Sequence, residues 1–313
     1  MKSLYLGVDT SNYTTSLAVI DSNNNIICDK RRILDVGLGK KGLRQQEALF
    51  QHIKNLPMLF NEMDINMSEI ESVGVSTRPR TVEGSYMPCF LAGDGFAKTL
   101  SHSLGIPFKR FSHQEGHIGS CLIHNNIQEK FLTLHLSGGT TESINCVNGL
   151  YNLELDTIGG SLDISFGQLV DRLGVKIGLE FPCGSELERI GQKGKMLHIK
   201  IPYKINEGYF NLSGLENYFS RLIDEKHYKI EDISFTLFSL FADIIRDWIA
   251  FSLYKTDIKT IFIVGGVASN SIIRNRLLDQ LSDFNVLFAN KELSSDNAVG
   301  IAYLTGIKKG WEV

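Results

Sequence analysis

The stretch LYLGVDTSNYTTSLAVIDSNNNIICD, residues 4–29, contains three apolar runs separated by short polar turns. The runs at 4–8, 17–20 and 26–29 are predicted to be strands, because each is short, apolar and followed by turn-forming residues. Helical patterns follow at 45–63 and 93–104, with another strand at 73–76 between them. The first part of the chain is therefore predicted to form a βββαβα lobe.

The same order of elements returns in the second half, which starts with FLTLHLSGGTTESINCVNGLYNLEL, residues 131–155. The predicted strands are 131–136, 142–147, 150–155 and 260–264, and the predicted helices are 162–174, 185–192, 234–253, 269–281 and 296–306. This repetition of topology predicts an α/β protein with two lobes around a nucleotide cleft, since ligands bind at the carboxyl ends of strands in such sheets. We expect residues 1–110 and the C-terminal helix at 296–313 to form the first lobe, and residues 111–295 to form the second, with the metal and nucleotide sites.

Composition is that of a globular enzyme, with 43% hydrophobic and 21% charged residues in 313. A chain that grips nucleic acid by itself is usually basic, whereas this one has a net charge of -3, so any RNA contact should be local or shared with partner proteins. The five cysteines form no CxxC pair and suggest reduced thiols in a cytoplasmic protein. The first residues do not read as a signal peptide, and the apolar segment at 244–253 contains Arg246 and Asp247, so no membrane segment is expected.

A histidine pair, His113 and His117, lies in the sequence SHQEGH at 112–117. On a helix these residues would lie one turn apart on one face and could bind one metal ion, although such a pair also arises by chance on a solvated helix. A zincin protease needs glutamate directly after the first histidine, but Gln114 is at that position, so the sequence argues against a protease of this class. Asp296 is a candidate third ligand, with the alternative that it only caps the last helix. Two histidines and one carboxylate suit iron or zinc.

Three turns after predicted strands could hold phosphate: 9–11, 137–141 and 265–270. Glycine allows the backbone to approach a ligand closely, and successive amides bind anions, although tight turns use glycine everywhere. Asp171 and Glu188 flank Phe181-Pro182-Cys183-Gly184 and could take ribose hydroxyls, or could belong to a solvated helix face with Arg172 and Arg189.

Taken in order along the chain, these motifs resemble the TsaD family, threonylcarbamoyl transferases that modify adenine 37 of certain tRNAs and were formerly labelled O-sialoglycoprotein endopeptidases. The resemblance spans nearly the whole chain. It is carried by Asp9-Thr10-Ser11, His113-Gln-Glu-Gly-His117, Ser137-Gly138-Gly139, Phe181-Pro182-Cys183-Gly184, Leu212-Ser213-Gly214-Leu215, Gly265-Gly266-Val267-Ala268-Ser269-Asn270 and Asp296-Asn297. It implies the ASKHA fold, that of actin-like ATPases and RNase H-like proteins.

The resemblance also implies the residues of the site. The metal ligands would be His113, His117 and Asp296, and the metal would be a divalent ion, iron or zinc. The activated intermediate, an adenylate derived from ATP, would be bound by Ser137, Gly138, Gly139, Asp171, Gly184, Glu188 and Asn270. The implied partners are tRNA and TsaB-like and TsaE-like proteins. No catalytic residue is assigned from the sequence.

Several positions depart from the family pattern. An acidic Cys-Asp-Glu run is replaced by Asn12-Tyr13-Thr14, Gly-Pro-Gly by Thr77-Arg78-Pro79-Arg80, and the histidine after Ser-Gly-Gly by Thr140. Gln168 replaces a glutamate and Glu216 replaces a lysine. These changes leave open a carbamoyltransferase that uses carbamoyl adenylate on another acceptor, or a non-catalytic nucleotide-binding scaffold.

Overall fold

A computed structural model of the chain describes residues 3–11, 13–36, 43–125, 127, 130–254, 256–293 and 295–308. The chain forms two compact units. The first consists of Met1–Gln128, Asn148–Leu153 and Asn290–Val313, and the second of Glu129–Val147 and Glu154–Ala289.

Helices and strands alternate along the chain, and each unit contains one sheet. In order they are β1 (Leu4–Asp9), β2 (Thr14–Asp21), β3 (Ile26–Ile33), α1 (Gln45–Asn61), β4 (Ile70–Arg78), α2 (Phe90–Leu104), β5 (Phe108–Ser112), α3 (His113–Leu122), β6 (Lys130–Leu136), β7 (Thr141–Asn148), β8 (Leu153–Ser161), α4 (Phe166–Lys176), α5 (Gly184–Gly191), β9 (Tyr209–Phe210), α6 (Ser213–Glu225), α7 (Ile230–Ser252), β10 (Thr260–Val264), α8 (Ser271–Gln280), β11 (Asn285–Phe288) and α9 (Val299–Ile307).

The sheet of the first unit has the strand order β3-β2-β1-β4-β5. Strand β1 is antiparallel to β2 and parallel to β4, and β4 is parallel to β5. β1 is central and almost wholly buried, as expected for a strand covered on both faces. Helix α9 packs on β1, β2 and β4, and also on α3. The carboxyl ends of β1, β4 and β5 therefore meet at one edge, next to α3 and α9.

The sheet of the second unit has the order β11-β10-β6-β7-β8-β9. Apart from the short edge strand β9, this is the order of the first sheet, with β6, β10 and β11 in the places of β1, β4 and β5. The repeated βββαβα topology predicted from the sequence is thus confirmed, and each unit adds a fifth strand of the repeat, β5 or β11. The core of this unit is rich in aromatic side chains from α7 and the sheet, including Phe238, Phe241 and Trp248.

Among the boundaries that differ from the sequence predictions, two bear on the candidate sites. The first unit continues to Gln128, beyond the predicted boundary at residue 110, because α3 packs against α9 within this unit. The histidine pair and residues 290–295, which were predicted for the second lobe, therefore belong to the first unit, together with residues 296–313 as predicted. The predicted helix at 162–174 begins later, at Phe166, because backbone hydrogen bonds from Gly160 to Gly208 and from Leu162 to Phe210 extend β8 along β9.

The predicted end of the last helix, residues 309–313, lies outside the described residues. Among the residues that are described, no helix combines the length and the apolar character needed to cross a membrane.

Candidate metal centre and nucleotide pocket

Helix α3 begins at His113 because a reciprocal capping box fixes its first turn. The Ser112 hydroxyl accepts a hydrogen bond from the Glu115 N–H (3.1 Å), and the Glu115 carboxylate accepts one from the Ser112 N–H (2.6 Å). The two imidazoles of His113 and His117 then lie on the same face, with ring centroids 4.4 Å apart. The Glu115 carboxylate is thus engaged in capping the helix.

A very close crossing brings α9 against α3. A Cβ atom on Gly300 would lie 1.8 Å from the Gly116 carbonyl oxygen and 2.5 Å from the Ser120 nitrogen. A Cβ atom on Gly119 would lie 2.5 Å from the Gly300 carbonyl oxygen. Only glycine allows the two backbones to approach this closely. The crossing places the segment just before α9 beside the histidine face of α3.

Asn297 fixes the shape of that segment. Its amide nitrogen donates to the carbonyls of Leu293 (2.9 Å) and Ser295 (2.8 Å), and its amide oxygen accepts from the Val299 N–H (3.0 Å) and the Ser120 hydroxyl (3.1 Å). The side chain is 3% exposed. Because Ser120 belongs to α3, the same side chain ties the segment to the helix that carries the histidines.

Arg31 on β3 holds the segment from its outer side. Its guanidinium donates to the Glu292 carbonyl (2.7 Å) and the Ser295 hydroxyl (3.0 Å), and it also pairs with Asp29 on its own strand. Asp296, the next residue, is therefore flanked on both sides by fixed neighbours.

Asp296 meets both histidines through one carboxylate oxygen. This Oδ1 lies 3.4 Å from Nε2 of His113 and 3.5 Å from Nε2 of His117, and one ligand atom from each residue lies within 4.8 Å of the others. Donors that surround a tetrahedral ion at about 2.1 Å are about 3.4 Å apart, so the three residues fit a bound metal ion. Asp296 is not the cap of the last helix, since α9 starts at Val299 with Ala298 at the N-cap position.

Asp9 completes the surroundings of His113 from the end of β1. One of its carboxylate oxygens lies 3.2 Å from His113 Nδ1, and the hydroxyls of Ser11 and Ser76 also donate to the carboxylate. Carboxylates in this position orient a histidine so that its other nitrogen faces a metal. The sequence pattern indicated a phosphate turn at Asp9 and gave no sign of this contact, which exists only because β1 and β5 end at the same edge.

Charge at this cluster favours a cation. Burial alone would raise the pKa of Asp9, but the His113 charge and the hydrogen bonds from His113, Ser11 and Ser76 hold it below its ordinary value. Burial also opposes the charged form of Asp296, and hydrogen bonds from His113 and His117 hold its pKa low. The pKa of His113 is raised to about 10, because Asp9 and Asp296 outweigh the effect of burial. Two ionised carboxylates therefore converge on one imidazole.

The second unit contains a pocket of about 250 Å³ at the carboxyl end of its sheet. It is lined by Gly138, Gly167, Val170, Asp171, Pro182, Gly184, Ser185, Glu188, Phe238, Gly266, Val267, Ser269 and Asn270. Five of the residues predicted for the nucleotide, Gly138, Asp171, Gly184, Glu188 and Asn270, are in this lining. The other two, Ser137 and Gly139, flank Gly138 in the chain.

The turn at Ser137 is organised by its own side chain. The Ser137 hydroxyl accepts hydrogen bonds from the N–H groups of Gly139 (3.3 Å) and Thr140 (3.0 Å). A Cβ atom on Gly167 would lie 2.5 Å from the Gly138 Cα, so α4 starts in direct contact with this turn. Ser137 therefore shapes the turn, and Gly138 provides the surface that faces the pocket.

Polar residues of the pocket also hold its walls together. Asp171 accepts a hydrogen bond from the Cys183 N–H (2.8 Å), and burial raises the pKa of Asp171. Glu188 accepts from both the N–H (2.8 Å) and the hydroxyl (2.6 Å) of Ser271, the first residue of α8. Asn270 caps α8 by accepting from the Ile273 N–H (3.1 Å). Its amide nitrogen is the end that we expect a ligand to meet.

Two of the departures from the family pattern have local explanations. Gln168 is the third residue of a capping box with Ser165, a position where glutamine and glutamate serve equally, so the helix start is kept. Glu216 pairs with Arg172 of α4 at 2.8 Å, so its negative charge has a partner within the unit.

The other departures lie on the first unit and in the turn after β6. Arg78 lies 4.0 Å from Glu115, and the Arg80 N–H donates to the Ser85 hydroxyl (3.0 Å). Thr140 closes the turn at Ser137 through its backbone. Asn12, in the first loop, lies outside the described residues, whereas Thr14 starts β2.

Comparison with known proteins gives one family. Residues 44–303 match the model described as TsaD, tRNA N6-adenosine threonylcarbamoyltransferase. A protein of that name from Sulfurihydrogenibium sp. (strain YO3AOP1) is 32% identical, with 97% of this chain and 90% of the relative covered. One from Thermotoga neapolitana is 30% identical, with 95% and 91% covered.

Solved structures agree on the fold. HypF from T. kodakarensis matches 97% of this chain and 47% of its own, with a TM-score of 0.64 and 13% identity. The (R)-2-hydroxyglutaryl-CoA dehydratase component A from Acidaminococcus fermentans matches 98% of both chains, with a TM-score of 0.56 and 14% identity. At these identities the likeness concerns the fold alone, and it confirms the ASKHA-type, actin-like fold that the resemblance implied.

Proposed function

This chain belongs to the TsaD family of tRNA N6-adenosine threonylcarbamoyltransferases, and from that premise we propose that it transfers a threonylcarbamoyl group from its adenylate to N6 of adenine 37 in tRNA. The main support for the proposal is that the side chains of His113, His117 and Asp296 lie close together. They do so in a chain whose match to the family model covers both units. No observation favours the two alternatives, a carbamoyltransferase that acts on another acceptor and a non-catalytic nucleotide-binding scaffold.

We assign the metal to His113, His117 and Asp296, with Asp9 orienting His113 through Nδ1. The set of two nitrogens and one carboxylate suits iron or zinc. When bound, such an ion supplies Lewis-acid polarisation of a carbonyl or phosphoryl oxygen. The residues themselves keep two ionised carboxylates at the site, which favours a bound cation.

The adenylate is assigned to the pocket of the second unit. Gly138 and Gly139 would bring backbone amides to its charged groups, and the start of α8 would add the positive end of a helix. Asp171 and Glu188 would accept hydrogen bonds from ribose hydroxyls, and Asn270 would donate from its amide nitrogen. Ser137 keeps the turn in shape, and Gly184 leaves space at the wall.

The proposed reaction is an acyl transfer. The N6 amine of adenine attacks the carbonyl carbon of the threonylcarbamoyl group, a carbon–nitrogen bond forms, and the bond from that carbon to the phosphate oxygen of the adenylate breaks, releasing AMP. The amine loses one proton in the process. Backbone amides aimed at the developing oxyanion are the usual source of rate acceleration in such transfers.

We further propose that the protein works in the cytoplasm with TsaB-like and TsaE-like partners. The support is the family membership and the five cysteines, none of which is in a disulfide. These partners belong in the assay mixture, because a transferase of modest charge would share tRNA binding with them.

The test is transfer of labelled threonylcarbamoyl to a tRNA that decodes ANN codons, together with rescue of a host that lacks its own enzyme. Wild-type protein should modify the tRNA, whereas His113→Ala/His117→Ala should not. Retained biological activity in that double variant would support a scaffold instead. Faster use of carbamoyl adenylate than of threonylcarbamoyl adenylate would move the protein to the other transferase class.

A further inference from the structure

The segment that follows α5, residues 193–206, crosses the second unit without forming a helix or a named strand. Its side chains alternate between core and solvent from residue 197 onward. The inward side chains are Leu197, Ile199, Ile201, Tyr203 and Ile205, which pack on the core of the unit. The outward ones are His198, Lys200, Pro202, Lys204 and Asn206, all exposed. A period of two is that of an extended chain. We name residues 193–206 the cationic segment.

Helix α7 holds this segment in place. The Lys195 N–H donates to the Asp232 carboxylate (2.9 Å), and the Leu197 N–H donates to the Thr236 hydroxyl (2.9 Å). Farther along, the Tyr203 hydroxyl donates to Asp247 (2.7 Å). With its apolar side buried and its backbone anchored, the segment presents its outward side chains at fixed positions along the chain.

The exposed charged side chains of the segment, both before residue 197 and along the alternating part, are all positive. No aspartate or glutamate occurs from residue 189 to residue 206, whereas Lys193, Lys195, Lys200 and Lys204 do. Ion pairs in the described part of this unit use other cations, for example Lys176 with Asp224 and Arg189 with Glu186.

Several acids lie near this segment, and one of them, Asp232, accepts a hydrogen bond from the Lys195 N–H. Lys193 lies close enough to Glu186 to help lower the pKa of that carboxyl, and Glu207 follows the segment directly. Asp247 is itself paired with Arg246 at 2.7 Å. Within the segment itself, four lysines occur with no acid, in a chain whose net charge is -3.

The cationic segment starts at the rim of the nucleotide pocket. Gln192, the residue just before it, donates to the Ser271 hydroxyl (3.0 Å), and the same hydroxyl donates to Glu188 of the pocket lining. A polyanion bound along the segment would therefore begin next to the adenylate.

We propose that the cationic segment is a docking surface for the phosphate backbone of tRNA, a proposal that rests on the proposed function. Outward side chains of an extended chain recur about every 6.6 Å, so Lys200 and Lys204, two such steps apart, are about 13 Å from each other and can contact separate phosphates of one strand. Such contacts release counterions and carry no base sequence, which suits an enzyme that accepts several tRNAs.

The test compares wild-type protein with a variant that carries Lys195→Gln, Lys200→Gln and Lys204→Gln. Binding of unmodified tRNA is measured over a series of salt concentrations. Each lost phosphate contact lowers the slope of log affinity against log salt by about 0.7 to 0.9, so the slope should fall by about 2. Affinity at low salt should fall at least about tenfold. Binding of an ATP analogue and the melting temperature should not change.

A matched control replaces three other exposed lysines of the same unit, Lys226, Lys229 and Lys259, with glutamine. An equal loss of tRNA affinity in the control variant would show that exposed lysines anywhere on the unit attract tRNA, and it would overturn the proposal. An unchanged salt slope in the test variant, or no tRNA binding by wild type, would also overturn it. Tighter binding of vesicles with anionic lipid, lost in the test variant, would assign the surface to a membrane instead. Transfer by wild type is assayed separately: a salt-dependent tRNA site without transfer leaves this surface standing and removes the proposed function.

Discussion

His113 has a carboxylate at each of its ring nitrogens. Asp9 lies 3.2 Å from Nδ1, and Asp296 lies 3.4 Å from Nε2. In the proposed site the first contact orients the ring and the second belongs to the metal ligand set, so the two carboxylates would have different roles although both are ionised. Replacing either one separates these roles.

Asp9→Asn should weaken metal binding by about 10- to 100-fold, because loss of a carboxylate partner makes a ligating histidine a poorer and less oriented donor. Metal titration of the apo-protein measures the change. Asp21→Asn is the control, since Asp21 is a buried carboxylate at the far end of the neighbouring strand β2. Equal metal affinity in both variants would remove Asp9 from the site.

The pair between Glu216 and Arg172 should behave as a surface ion pair, because the two side chains are 24% and 51% exposed. Glu216→Lys, which restores the family residue, places two positive charges together and should lower the free energy of unfolding by at most about 1 kcal/mol. Adding Arg172→Glu should recover that loss. Urea unfolding of the single and double variants measures the coupling, and no recovery would mean that the pair contributes nothing.

The candidate metal centre depends on the crossing of α3 and α9. Gly116 and Gly119 lie on α3 and Gly300 on α9, and a side chain at Gly300 would overlap the α3 backbone. The distance from the histidines to Asp296 is therefore set by backbone contact between two helices, not by the ligands alone.

Gly300→Ala should separate the helices, lower the free energy of unfolding by about 1–3 kcal/mol or more, and abolish tight metal binding. Gly95→Ala in α2 is the opposite control, because a Cβ atom there meets no atom within 4 Å and alanine should stabilise an exposed helix position by about 0.5–1 kcal/mol. Thermal unfolding measures the change in stability of both variants, and metal titration measures their metal affinity. Normal metal affinity in Gly300→Ala would contradict the role of the crossing.

Helix α6 starts on a carboxylate from outside the helix. Burial opposes the charged form of Asp163, but the Ser213 hydroxyl and the N–H groups of Leu212, Ile164 and Ser213 hold its pKa below the ordinary value. A lowered pKa in the folded state means stability that is fully present above the unfolded pKa, about 3.9, and is lost as pH falls below it. The second unit should therefore weaken in acid at this helix.

Asp163→Asn should reduce the difference in urea midpoint between pH 6 and pH 3. Asp283→Asn, an exposed carboxyl of the same unit, should leave that difference as it is in wild type. An unchanged difference in Asp163→Asn would show that other groups cause the acid sensitivity.

Local sequence patterns were enough to predict some of the helices and strands. The strand at 260–264 and the start of α1 at Gln45 were predicted at their observed positions. Strand β5 was missed because it contains Lys109 and Arg110. Lys109 can be buried only because its ammonium donates to the carbonyls of Thr305 and Lys308 at the end of α9, a contact far away in sequence.

The same limit applies to the candidate site. Spacing on α3 was enough to predict that His113 and His117 share a face. Capping rules alone would have favoured Asp296 as a helix cap, and it joins the histidines because of the glycine crossing. The contact of Asp9 with His113 depends on strand order in the sheet, which no local pattern contains.

At the scale of the whole molecule, the two units share a strand order but offer different chemistry. The first unit brings together imidazoles and carboxylates, and the second has a glycine-lined pocket. The same topology therefore gives two frameworks, each with candidate binding residues near the carboxyl ends of its strands.

Hydrogen exchange should assign each ligand to its unit. Removing metal with a chelator should speed amide exchange in α3 and in residues 295–299, because an ion that binds only the folded state stabilises what it binds. Adding an ATP analogue should slow exchange at the start of α8. Faster exchange at α8, and not at α3, after chelation would place the metal elsewhere.

The interrupted first unit also has a consequence for synthesis on the ribosome. His113 and His117 leave the exit tunnel early, whereas Asp296 follows only after residues 154–289, most of the second unit, have been translated. The nascent chain therefore holds the two imidazoles without the Asp296 carboxylate for most of its elongation. If these residues bind the metal as proposed, the ion can be bound by the full set only late in synthesis, after α9 has packed on α3.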